Sequence, residues 1–104
     1  MGKTQIEIPK EKIAEFCKKW QICEFSFFGS VLRDDFRPES DIDVLVTFDK
    51  DAEHSLFDMV HMEDELKAIF GRDIDLVSRR GIESSRNYMR RNAILSSTEV
   101  IYAA

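Results

Sequence analysis

Between Asp41 and Phe48 the chain alternates with a period of two: Ile42, Val44, Val46 and Phe48 fall on one face, and Asp41, Asp43, Leu45 and Thr47 on the other. Successive side chains of a strand point to opposite faces, so the segment reads as a β-strand with one buried side. The same geometry sets Asp41 and Asp43 side by side at the strand start, with Cα atoms roughly 6.6 Å apart at a rise of about 3.3 Å per residue. Two carboxylates so placed suit shared ligation of a divalent cation. They close a run that begins with a Gly29-Ser30 turn and ends at Val46.

The chain of 104 residues suits one compact domain over 1–104 and is too short for two independent cores. No apolar stretch approaches the roughly 20 residues that cross a bilayer. The opening Met1-Gly2-Lys3-Thr4 lacks the apolar centre of a signal peptide, so a cytoplasmic location is expected, with no membrane contact. A formal net charge of -5 argues against a nucleic-acid binder held mainly by phosphate contacts. The charge is uneven: residues 79–91 hold five arginines against the single acid Glu83, which makes them either a solvated helix face or a docking surface for an acidic partner or a nucleotide. Cys17 and Cys23 form no metal-ligand pair and read as reduced, buried small hydrophobes.

Ile13, Phe16, Cys17 and Trp20 recur at helical spacing and predict a first helix over 10–20 behind Pro9. Ile22 to Phe28 predicts a strand running into the tight turn at Gly29. Ser30 is placed to cap a short helical turn over 31–35, before Arg37-Pro38-Glu39-Ser40 breaks the chain. Ser55-Leu56-Phe57-Asp58 resembles a capping box opening a helix through Met59, Val60, Met62, Leu66, Ile69 and Phe70, which Gly71 ends in a left-handed cap. Residues 73–77 predict a third strand, 83–95 a last helix and 98–102 a small edge strand. His54 and His61, seven apart, are read as surface or partly buried residues on one helix face rather than as zinc ligands.

Gly29 must lie near Asp41 if the turn serves the acids, which makes the first two strands antiparallel. A helical crossover then makes the second and third strands parallel. This small mixed sheet gathers Gly29, Ser30, Asp41, Asp43 and a carboxylate of the third strand at one edge. Mg²⁺ takes hard oxygen ligands and is commonly held by a few carboxylates together with substrate phosphates. Two such ions roughly 3.5 to 4 Å apart can serve the attacking and leaving oxygens of a displacement. The Gly29-Ser30 turn lets backbone N–H donors approach a phosphate. Arg33 either adds a cation to the phosphates or forms a surface ion pair. Asp73 and Asp75 compete as the third carboxylate.

Gly29, Ser30, Arg33, Ser40, Asp41, Asp43 and the strand of Val44 to Val46 resemble the motif of the polymerase-beta-like nucleotidyltransferase superfamily, in its minimal nucleotidyltransferase branch. The similarity continues through Ser55 to Asp58 and through 71–77, and covers about residues 10–102. The resemblance implies an α/β (α+β) nucleotidyltransferase fold with a mixed sheet of three to four strands. It implies Asp75, directly before Leu76-Val77, as the third carboxylate beside Asp41 and Asp43, the three acting as catalytic residues and magnesium ligands. Gly29, Ser30, Arg33 and Ser40 become the nucleotide-binding residues. Leu32 and Asp34 depart from the small residue and glycine that flank the motif arginine, and Asp34 adds negative charge beside a triphosphate.

The reaction so implied is Mg²⁺-dependent transfer of AMP from ATP to an acceptor hydroxyl, with release of pyrophosphate. Proteins of this branch are similar to antitoxins whose partner is a helical HEPN ribonuclease encoded by the adjacent gene. The resemblance then implies a tyrosine hydroxyl of that toxin as the acceptor. The alternative is a binding subunit that neutralises its partner by steric capture. A drug-modifying transferase is a weaker reading, because it needs further structure to hold its substrate.

Overall fold

The computed structural model describes residues 8–29, 41–84, 86, 89, 92, 94 and 98–104. Their elements run α1 (Lys10–Lys19), β1 (Ile22–Phe28), β2 (Ile42–Phe48), α2 (Leu56–Phe70), β3 (Ile74–Ser78), α3 (Arg79–Glu83) and β4 (Thr98–Ala103). The four strands form one sheet in the order β3-β2-β1-β4. β1 pairs antiparallel with β2 and with β4, and β2 pairs parallel with β3, as the helical crossover requires. The expected edge strand is β4, lying beside β1. The last helix differs from expectation: α3 begins at Arg79, directly after β3, where Ser78 accepts a hydrogen bond from the Gly81 N–H. Much of the segment 83–95, and the expected helical turn over 31–35, lie outside the described residues.

Period-two and period-3.6 patterns meet on one face of the sheet. Ile13, Phe16 and Cys17 of α1 and Met62 and Leu66 of α2 pack on Phe25, Phe27, Ile42, Val44, Val46, Ile74 and Leu76. Strict alternation would set Ile22 on the opposite side from Phe25 and Phe27. A register shift between Ile22 and Glu24 supplies the extra residue, so that Ile22 joins the same core. Phe16, Phe25, Phe27 and Phe70 form a chain of edge-to-face contacts, with successive centroids 6.3, 5.8 and 5.7 Å apart. The other face is apolar as well: Phe28, Leu45, Ile82 and Ile94 form a second buried cluster, with Val77 against it. Asp43 and Leu45 therefore share a face on which the acid sits at the rim of a small core.

α2 is fixed at both ends. The Ser55 hydroxyl accepts from the Asp58 N–H, the Asp58 carboxylate accepts from the Ser55 N–H, and Gly71 closes the helix at φ 67°. Ser55→Ala removes one half of this box. It is expected to cost about 1 kcal/mol, read as a fall in melting temperature of roughly 4–8 °C.

His54 precedes the Ser55 cap, so it does not share a helix face with the exposed His61. Its ring packs 4.7 Å from Phe48, and its Nε2 lies 2.7 Å from the Trp20 carbonyl oxygen. A carbonyl has no proton to give, so Nε2 is the donor. Beside it, the Glu65 carboxylate accepts from both Trp20 Nε1 and Lys19 Nζ at 3.0 Å, tying the end of α1 to α2.

Burial pushes the Cys17 thiol from 9.0 up to about 12, with Cys23 adding to the effect. The folded chain then keeps a proton that the unfolded chain gives up above pH 9. The stability linked to this group is fully present below pH 9 and falls as pH rises toward 12. Iodoacetamide at pH 8 is expected to leave Cys17 unmodified in the native protein, as read by peptide mass spectrometry.

Candidate active site

The parallel register sets Asp43 directly opposite Asp75, with Ile42 opposite Ile74. Residues paired across neighbouring strands point to the same face, and the strands lie roughly 4.8 Å apart. The two carboxylates therefore stand side by side on the face of the smaller core, where Leu45 and Val77, two residues further along each strand, begin its apolar floor. Asp41 lies two residues before Asp43, just outside β2, and is exposed; Asp75 is exposed and Asp43 half-buried.

The antiparallel register brings Phe28 opposite Asp43, so the turn after β1 arrives at the same rim. Gly29 adopts φ 72°, a left-handed conformation that side chains disfavour. The space a Cβ would take there is filled by Oδ2 of Asp43, whose carboxyl carbon would lie 3.2 Å from it. Gly29 is thus required twice: for the turn, and for the room in which the Asp43 carboxylate lies. Sequence reasoning assigned this glycine to phosphate approach and missed its contact with the acid.

Of the expected site residues, Gly29, Asp41, Asp43 and Asp75 are brought to one end of the sheet. Ser30, Arg33 and Ser40, with Leu32 and Asp34, lie outside the described residues. Asp73 is also exposed, but it precedes β3, where its carbonyl accepts the Ile42 N–H at 3.0 Å. Asp75, not Asp73, is therefore the residue paired with Asp43. The floor residue Ile82 escaped sequence reasoning because the last helix was expected to start at residue 83, whereas α3 starts at Arg79.

Among the described residues no group of three or more His, Cys, Asp or Glu forms a ready-made metal cage. The donor set nevertheless suits magnesium. Like charges directly opposed across a ladder destabilise it, and a cation held by Asp43 and Asp75 would relieve that repulsion. The exposure of Asp41 and Asp75 leaves room for the waters and phosphate oxygens with which Mg²⁺ completes its shell.

The arginine-rich segment is not one uniform surface. Arg79 turns back onto the sheet, donating to Thr47 Oγ1 at 3.2 Å and pairing with Glu24 at 3.3 Å, while Arg80 and Arg86 are exposed. Arg90 and Arg91 lie outside the described residues. No helix among the described residues is long and apolar enough to cross a membrane.

The nucleotidyltransferase domain model matches residues 10–101. Protein adenylyltransferase MntA of Thermococcus cleftensis is 31% identical over 70 residues, which cover 67% of this chain and 69% of that protein. A crystal structure of a toxin-antitoxin pair with AMP-PNP superposes with a TM-score of 0.72 at 17% identity, over 93% of this chain and 75% of that one. A structure of the tri-AMPylated Shewanella oneidensis HEPN toxin in complex with its MNT antitoxin matches with a TM-score of 0.62 at 16% identity, over 91% of this chain and 70% of that one. At these identities the two superpositions show a shared fold. With the family model spanning nearly the whole chain, the protein belongs to the nucleotidyltransferase domain family.

Proposed function

We propose that this protein transfers AMP from ATP to a hydroxyl group of a partner protein, and that it acts as the antitoxin of a toxin-antitoxin pair. The observation that carries the reading is the opposition of Asp43 and Asp75 beside the left-handed Gly29, which is the rim a nucleotide triphosphate and its cation need. The name of the Thermococcus relative supports protein adenylylation, and the tri-AMPylated Shewanella toxin supports a HEPN toxin as acceptor. The group proposed to be modified is a tyrosine hydroxyl of that toxin.

Asp41, Asp43 and Asp75 would hold magnesium, two ions in the fullest form, which supplies charge neutralisation at the phosphates and a lower barrier to ionising the acceptor. Gly29 and Ser30 offer backbone donors to the phosphates, and Arg33 and Ser40 complete the nucleotide contacts. The acceptor oxygen bonds to the α-phosphorus as the bond from that phosphorus to the bridging oxygen breaks. Pyrophosphate leaves, and the hydroxyl proton passes to the Asp75 carboxylate. Catalysis of this kind rests on positioning and charge stabilisation rather than on a covalent enzyme intermediate.

The test is to incubate the protein with ATP labelled in the α-phosphate, Mg²⁺ and the helical product of the adjacent gene. Label is expected on that partner with the native protein and not with Asp41→Ala/Asp43→Ala. Equal labelling by the double variant would overturn the assignment. Neutralisation of the partner by the unlabelling variant would point to steric capture instead.

A further inference from the structure

The first two turns of α2 carry large apolar side chains that the core does not take. Leu56 is 84% exposed, Phe57 79% and Val60 56%. At about 100° per residue the three fall within one arc of roughly 100° on the helix surface, so they form a patch. They adjoin the inward stripe of Met59, Met62 and Leu66, which continues to the sheet.

The surroundings of the patch are acidic. Residues 49–64 contain Asp49, Asp51, Glu53, Asp58, Glu63 and Asp64 against Lys50 alone, a balance of -5 that equals the net charge of the entire chain. Asp49, Asp51, Glu53 and Asp64 are exposed. An apolar surface rimmed by charge of one sign is the complement of an apolar surface rimmed by the other. The patch also lies far from the chemistry. α2 follows the end of β2 at Phe48, five residues beyond Asp43, which sets the patch on the order of 15 Å or more from the acids.

We propose that the first two turns of α2, with the acidic loop before them, are a docking surface for a basic amphipathic helix of a partner polypeptide. The occupant presents apolar residues at i, i+3, i+4 and i+7 to Leu56, Phe57 and Val60, and lysines or arginines to the acidic rim. The inference rests on the proposed function in one respect: transfer to a macromolecule needs a hold on it, and this surface supplies that hold apart from the reacting groups.

The probe is a synthetic helical peptide with leucines at that spacing and lysines elsewhere, titrated against the full chain by fluorescence anisotropy. Binding is expected to weaken about tenfold or more in Leu56→Ser/Phe57→Ser. It is also expected to weaken as salt shortens the Debye length below about 10 Å, and to be at least tenfold poorer for the same peptide carrying glutamates in place of lysines. Both substituted side chains are exposed, so the melting temperature of the double variant should stay within about 3 °C of the parent. Asp43→Asn should bind the peptide as the parent does, so loss of transfer and loss of docking are separate results. Equal binding by the double variant, or of the glutamate peptide, overturns the proposal. So does self-association of the chain that the double variant abolishes, because the patch would then belong to a second copy.

Discussion

Asp43→Asn is expected to lower AMP transfer by about 10³-fold or more while leaving the melting temperature within a few degrees of the parent. Asp43 stands where the two ladders and the Gly29 turn meet. It faces Asp75 across the parallel ladder, faces Phe28 across the antiparallel one, and rests its carboxylate against Gly29. Asparagine keeps the shape of the side chain, so the space beside Gly29 stays filled. It removes the negative charge that a cation and its phosphates require, and one such electrostatic contact is worth about 10² to 10³ in rate before the loss of metal affinity is added. Single-turnover labelling of the partner and a thermal melt of the same sample read the two effects separately.

Gly29→Ala is expected to damage both stability and activity, and Gly71→Ala only stability. The two glycines have nearly the same backbone, φ 72° and φ 67°. A left-handed residue with a side chain costs about 1–2 kcal/mol, which both variants share. At Gly71 the added methyl meets nothing within 4 Å. At Gly29 it meets the Asp43 carboxylate, so either that acid swings away or the turn opens. Gly71→Ala should therefore melt roughly 5–10 °C lower with transfer unchanged at temperatures where it is folded. Gly29→Ala should melt lower still and lose about 10²-fold in transfer, the scale that a displacement of about 1 Å brings at a reacting centre. Full transfer activity in Gly29→Ala would mean that the contact with Asp43 does not position the acid.

The elements that organise this site were legible because their patterns are local. The alternation from Ile42 to Val46, the box at Ser55 and Asp58 and the left-handed stop at Gly71 each follow from a few neighbouring residues. The antiparallel pairing of β1 and β2 followed from the demand that Gly29 meet the acids, and the parallel pairing of β2 and β3 from the helical crossover between them. What was not legible depends on contacts distant in sequence. The bulge between Ile22 and Glu24 is set by which side chain the core can accept. The second apolar face exists because α3 starts at once after β3 and carries Ile82 onto Leu45. His54 leaves the helix pattern because the loop before α2 folds it between Phe48 and the end of α1. Arg79, counted in a basic surface, is drawn out of it by Glu24 and Thr47 from strands more than thirty residues earlier.

The central claim is that the site is the Asp43–Asp75 pair with Asp41 and the Gly29 turn. Calorimetric titration of ATP into the protein, with and without Mg²⁺, tests it most directly when the native chain is compared with Asp43→Asn, Asp75→Asn and Asp73→Asn. Metal-dependent binding should be present in the native chain and in Asp73→Asn, and should fall at least tenfold in the other two. Binding that survives Asp75→Asn and is lost in Asp73→Asn would contradict the register-based assignment.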